Sequence, residues 1–116
     1  MLNNLLFMIA AACELPHGVT IGAVTEHRGK VTWHFNITDE KVHALEIDFA
    51  RPLDGLVVDA VGYTQNGIAV PLLHDRRVFG DRLDMQWLRL PLTEVDVRMH
   101  VYLHPAPIIA GVCGTP

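Results

Sequence analysis

Between Val19 and Leu103 apolar and polar residues alternate one for one, in short runs separated roughly every ten positions by turn-forming residues. That rhythm restricts the fold more than any other feature of the chain. Successive side chains of a β-strand point to opposite faces, so a period of two gives each strand one face for a core and one for water. In "VTWHFNI", Val31, Trp33, Phe35 and Ile37 fall on one side and Thr32, His34 and Asn36 on the other. In "VHALEIDFA", Leu45, Ile47 and Phe49 face in while Glu46 and Asp48 face out. "VDVRMHVYLHP" is the most regular run, with Val95, Val97, Met99, Val101 and Leu103 set against Asp96, Arg98, His100, Tyr102 and His104.

The punctuation agrees with this reading. "HRGK", "TDEK" and "RPLDG" are turn segments, and Asn66-Gly67 between two apolar runs predicts a hairpin with a type I′ turn. Pro71 places the next strand at a sheet edge, or ends it there, because proline has no N–H for a second neighbour. "HDRRVFGDR" reads as a polar connection, and the change of phase at Trp87-Leu88 predicts a β-bulge. Seven or eight short strands in this order predict an all-β antiparallel β-sandwich, of jelly-roll or immunoglobulin-like form. The 116 residues suit one domain. They divide into an apolar N-terminal segment (1–18), the β-sandwich (19–105) and a C-terminal tail (106–116) that runs along the surface or clasps the N-terminal segment.

The N-terminal segment "MLNNLLFMIAAACELPHG" predicts mature structure. It would be a short apolar helix or strand, capped at Asn3 or Asn4 and stopped by Pro16 and Gly18. The apolar run from Leu5 to Cys13 is nine residues, about half of what a membrane span needs. The alternative is a signal, since Ala10-Ala11-Ala12 before Cys13 resembles a bacterial lipoprotein cleavage box; no Lys or Arg precedes it, as a signal would require. Cys13 and Cys113 stand near opposite ends of the sequence. They read as two buried free thiols, with a disulfide as the alternative if the ends of the domain meet.

Several chemistries fall away. The chain contains no serine, which removes serine-nucleophile hydrolases of every fold. Neither cysteine has an adjacent base, and there is no phosphate-binding glycine loop. A formal charge of −4 supplies no basic field for nucleic acid. Arg76, Arg77 and Arg82 gather around Phe79, but Asp75 and Asp81 offset them, so the segment reads as a salt-bridged loop. Asp48, Asp54, Asp59 and Asp84 read as turn residues or outer strand positions.

The histidines are the remaining candidates for a site. His100 and His104 would lie about 13 Å apart along one strand, too far for one ion with bonds near 2.0 Å. A metal set of His34, His100 and His104, with Asp96 beside them, would need "VTWHFNI" to pair with the last strand in a favourable register. The expectation is therefore no resident cofactor, with zinc as the alternative.

Apolar residues at positions that look exposed point elsewhere. Leu53, Val78, Phe79, Ile108 and Ile109, together with Leu5, Leu6, Phe7 and Met8, are the interface candidates. The function expected from the sequence is that of a non-catalytic interaction protein. It would assemble with itself or with other subunits, as virion decoration, connector and adaptor proteins do, in a soluble, cytoplasmic or virion-associated setting. Two alternatives are a secreted or lipid-anchored envelope protein processed at Cys13, and a small β-barrel metal enzyme using His34, His100 and His104.

Overall fold

The computed structural model describes residues 13–87, 90–100 and 106–116. Eight strands form within them: β1 (Val19–His27), β2 (Lys30–Ile37), β3 (Ala44–Phe49), β4 (Leu56–Thr64), β5 (Ala69–Val78), β6 (Arg82–Gln86), β7 (Leu92–His100) and β8 (Ile109–Thr115). They build two antiparallel sheets, one of five strands in the order β1-β2-β7-β4-β5 and one of three in the order β6-β3-β8. This is a jelly-roll sandwich, the first of the two forms expected.

Alternation does the packing. Val31, Trp33 and Phe35 of β2, Val58 and Ala60 of β4, and Val95, Val97 and Met99 of β7 are buried on the inner face of the larger sheet. Leu45, Ile47 and Phe49 of β3 and Leu83 and Met85 of β6 oppose them from the smaller sheet. The Trp33 and Phe49 rings meet edge to face across the gap, with centroids 5.7 Å apart. No charged or polar residue lies in this core among the described residues.

Turn chemistry departs from expectation in an instructive way. The two-residue type I′ hairpin joins β1 to β2, where Arg28 and Gly29 take φ of 50° and 74°. At Asn66-Gly67 only Gly67 has positive φ, at 80°. Gly67 N–H donates to Thr64 O (2.9 Å) and Thr64 N–H to Ile68 O (3.0 Å), which makes a three-residue loop closed by a left-handed glycine. The hairpin is present; its turn type is not the one expected. Pro71 does sit in an edge strand, β5.

Two further expectations are corrected, for the polar run and for the cysteines. The polar run His74–Val78 continues β5, with Arg76 and Arg77 in register with Val58 and Val57. The tail is a strand: β8 pairs with β3 from Ala44–Thr115 to Phe49–Ile109, and its Gly114 also bridges to Leu15. Cys13 and Cys113 are joined in a disulfide, with Cα atoms 5.5 Å apart. β8 brings Cys113 to the segment that leads into β1, so the two ends of the described chain meet where free thiols were expected. The bulge expected at Trp87-Leu88 and the apolar segment before Cys13 lie outside the described residues.

Candidate functional site

The strand directions sort the loops into two ends. At one end lie residues 38–43, 65–68, 87 and 90–91; at the other lie 28–29, 50–55, 79–81 and 106–108. The first end holds a cavity of about 560 Å³ between the β2–β3 loop, the β4–β5 hairpin and the start of β7. Its wall carries Thr38, Thr64, Gln65, Asn66 and Thr93, with Ile68 and Leu90 as apolar contacts and Glu40 as the only charge among the described residues. Local bonds hold these groups in place. Thr38 Oγ1 donates to His17 O at 2.8 Å, and Thr64 Oγ1 accepts from Ile68 N–H at 3.1 Å. Hydroxyls and carboxamides both donate and accept, so this lining suits a ligand rich in neutral polar groups.

The outer face of the five-stranded sheet is ionic instead. The register places His34 of β2 directly opposite Asp96 of β7, and His34 Nδ1–H donates to Asp96 Oδ1 at 2.6 Å. Glu94 Oε1 lies 3.7 Å from the same nitrogen. A β1 bulge between Ile21 and Val24 faces this pair, with Gly22 against the His34 carbonyl.

One strand further along, Asp59 of β4 gathers a second group. A bulge in β5 sets His74 and Asp75 against this single residue, since Val58 pairs with Arg76 and Ala60 with Leu73. The extra residue Asp75 adopts a φ of 46°, and its N–H donates to Asp59 Oδ1 at 2.8 Å. His100 Nε2–H donates to Asp59 Oδ2 at 3.1 Å, and His74 Nδ1 lies 3.6 Å from Asp59 Oδ1. The Asp75 N–H above all, and then His100, hold the Asp59 carboxyl below its ordinary value, against the opposing effect of burial.

Of the histidines in the zinc alternative, His34 and His100 are not brought together. In the β2–β7 register His34 stands opposite Asp96 and Lys30 opposite His100, so the two imidazoles sit four residues apart along the ladder, about 13 Å. Each has found a different carboxylate. His104 lies outside the described residues. Sequence reasoning kept Asp59 only as an outer strand position and gave His74 and Glu94 no role. The missing information was the strand register, which decides which residues face one another, and the β5 bulge, which sets His74 and Asp75 over Asp59.

The interface candidates separate as well. Phe79 and Ile108 are 72% and 68% exposed, on loops at the end opposite the cavity. Ile109 is half-buried in β8. Val78 and Leu53 are core residues, at 4% and 2% exposure. Val78 closes β5 against Leu56, and Leu53 is drawn in by its N–H bond to Gly80 O (2.8 Å) at the Asp54-Gly55 turn. Leu5, Leu6, Phe7 and Met8 lie outside the described residues. Of the arginine cluster, Arg82 is bonded through Nε–H to Asp48 Oδ1 at 3.2 Å.

Fold and sites together define a small jelly-roll domain with a cavity among the loops at one end and an ionic sheet face. No protein-family model matches the sequence, and no curated protein matches it. Solved structures do share the fold. The carbohydrate-binding module CpGH89CBM32-6 produced by Clostridium perfringens superposes with a TM-score of 0.55 at 8% identity, over 84% of this chain and 90% of that one. CpGH89CBM32-4 from the same organism, solved in complex with glcNAc-alpha-1,4-galactose, gives 0.56 at 9% identity over 83% and 87%. Its seleno-methionine form gives 0.54 at 11% identity over 93% and 98%. The likeness is one of fold, distant in sequence.

Proposed function

We propose that this chain is a non-catalytic binding domain, and that the loop-end cavity receives a small neutral polyhydroxylated ligand of saccharide type. The observation that carries the reading is the cavity lining. Thr38, Thr64, Gln65, Asn66 and Thr93 offer paired donors and acceptors beside the apolar Ile68 and Leu90, within about 560 Å³. Ligand cavities of roughly 300 to 1,000 Å³ that combine apolar walls with a few fixed polar groups are the usual form of a small-molecule site. The shared fold with carbohydrate-binding modules, one of them solved with a disaccharide, supports the same assignment. The Cys13–Cys113 disulfide supports a location outside the reducing cytosol, as the secreted alternative would have it.

The test is a panel of mono- and disaccharides, including GlcNAc-α-1,4-galactose, screened by calorimetry against the oxidised protein. Binding that weakens about tenfold in Asn66→Ala or Gln65→Ala, the loss of one hydrogen bond, is the expected result. No binding across the panel, or binding indifferent to both changes, overturns the reading.

The exposure of Phe79 and Ile108 favours a second role, in assembly, at the opposite end of the sandwich. Native mass spectrometry of the wild type and of Phe79→Asp tests it. An oligomer that the substitution dissolves supports it, and a monomeric wild type refutes it.

A further inference from the structure

The group around Asp59 does something the loop cavity does not require. Three strands contribute to it: Asp59 from β4, His74 and Asp75 from the bulge of β5, and His100 from the end of β7. One donor atom each from Asp59, Asp75 and His100 lie within 4.8 Å of one another. His100 Nε2 to Asp59 Oδ2 is 3.1 Å, His74 Nε2 to Asp75 Oδ2 is 3.3 Å, and His74 Nδ1 to Asp59 Oδ1 is 3.6 Å. Ligands bound tetrahedrally at about 2.0–2.1 Å are separated by about 3.3 Å, so the Asp59, Asp75 and His100 donors stand close enough to share one ion, whereas the two His74 distances belong to different ring nitrogens. The spacings are long for charge-assisted hydrogen bonds, which settle near 2.7–2.9 Å.

From these spacings and this donor set we infer that Asp59, Asp75 and His100, with solvent completing the shell, form a binding site for a divalent transition metal ion of the zinc type.

Imidazole and carboxylate together suit zinc, whereas calcium and magnesium take oxygen alone. Two carboxylates balance the charge of one divalent ion, and a neutral imidazole adds none. The bulge supplies the geometry: without the extra residue in β5, His74 and Asp75 could not both stand over Asp59. Asp59 and His100 are about three-quarters buried, with side-chain exposures of 29% and 27%, and form the fixed half of the site. Asp75, 66% exposed, closes on the ion from the bulge, with the exposed His74 beside it. On binding, His100 takes the tautomer with its proton on Nδ1, exchanged through solvent, which leaves the Nε2 lone pair of a neutral imidazole for the metal. Arg98 stands opposite Asp59 in the β4–β7 register, yet no ion pair joins them. Asp59 and His74 border a cavity of about 280 Å³, and Asp75 and His100 border another of about 340 Å³. A metal held here is open to an exogenous ligand on either side.

The other cluster is a different object. His34 and Asp96 meet at 2.6 Å, a hydrogen bond too short for two ligands of one ion.

The experiment is zinc titration of the oxidised, chelator-stripped full-length protein by calorimetry and native mass spectrometry. One zinc per chain is expected, with a rise in Tm that needs the metal. His100→Ala should weaken binding by about 100-fold, and His34→Ala should leave it unchanged. Asp59→Asn keeps an oxygen for the Asp75 N–H and removes a charged ligand, so it should fold normally and lose the zinc. No binding up to millimolar zinc overturns the inference. So does binding that survives Asp59→Asn, or that is lost in His34→Ala and kept in His100→Ala. Saccharide binding at the other site rests on other residues, so each reading fails independently of the other.

Discussion

Replacing both members of the Cys13–Cys113 bridge tests how the domain holds its first and last described segments together. The two cysteines are 100 residues apart in sequence, so reduction frees a loop that spans nearly the whole fold. In the chain-entropy model a closed loop of that length destabilises the unfolded state by about 4.7 kcal/mol at 25 °C. A small domain has about 5–15 kcal/mol of stability in all, so the bridge accounts for a third or more of it. Unfolding entropy near 2.1 cal/mol/K per residue gives about 0.24 kcal/mol/K for a chain of this size, and the loss then lowers Tm by about 19 °C. Cys13→Ala/Cys113→Ala removes the bridge without leaving a reactive thiol. The Leu15 N–H to Gly114 O bond (3.1 Å) remains to seat the same segment on β8. Circular dichroism melts of the double variant and of the wild type with and without reductant give the comparison. The double variant and the reduced wild type should melt together, well below the oxidised protein. A drop of less than about 5 °C would show that the unfolded chain gains little freedom when the bridge opens, and the entropic account would fail.

Two further outcomes follow from the core and from Asp59. A Cβ added at Gly62, on the inner face of β4, would run into Leu92 Cδ1 and crowd Leu72 Cδ1 at 3.3 Å. Leu92 is buried at 2% exposure, so Gly62→Ala should destabilise by about 1–3 kcal/mol in urea unfolding, and Gly62→Ala/Leu92→Val should recover part of that; equal stability of the single variant would refute the packing. Asp59 is held below its ordinary 3.8, mainly by the Asp75 N–H, so its ionised form favours the native state. That contribution is complete above the unfolded value and is lost as pH falls through the lower folded one. Urea midpoints from pH 6 to pH 2, without metal, should therefore fall less steeply below pH 4 in Asp59→Asn, and superimposable slopes would contradict the assignment.

Much of the fold was legible because a period of two leaves little freedom. Once Val31, Trp33, Phe35 and Ile37 share a face, that face must find a core, and Leu45, Ile47 and Phe49 supply the opposing layer. Pro71 announced an edge for a simple reason, the lack of a donor. What stayed hidden were properties of pairs distant in sequence. The disulfide depends on β8 crossing to the segment before β1, and no local pattern in "PAPIIAGVCGTP" states that β3 is its neighbour. Glycine and proline there argue for a loop, and tertiary pairing overrides them. Val78 and Leu53 looked exposed because a charged or turn-rich neighbourhood surrounds them, yet each anchors the end of a strand.

The histidines show most clearly where reading stops. Alternation put His34, Asp59, Asp96 and His100 on outer faces correctly, and it could go no further, since each could meet any residue of a neighbouring strand. The register between β2 and β7 then assigns His34 to Asp96, and the register between β4 and β7 brings His100 to Asp59. A shift of two residues in either ladder would keep every apolar residue in the core and exchange the partners, so hydrophobic pattern alone cannot choose. The bulge in β5 adds a second layer of choice. In unbroken alternation His74 and Asp75 would face opposite sides of β5, and only one could approach Asp59. With Asp75 at a φ of 46° both do, and an edge strand that is otherwise apolar from Val70 to Leu73 presents an ionic pair to the sheet face. A non-glycine residue in a left-handed conformation costs energy that the surroundings must supply, and here the Asp59 carboxylate supplies part of it by accepting the freed N–H. The sequence signal that could have pointed there is the junction itself, an abrupt His-Asp following an apolar, proline-bearing edge strand. Nothing in its spacing names Asp59 as the partner.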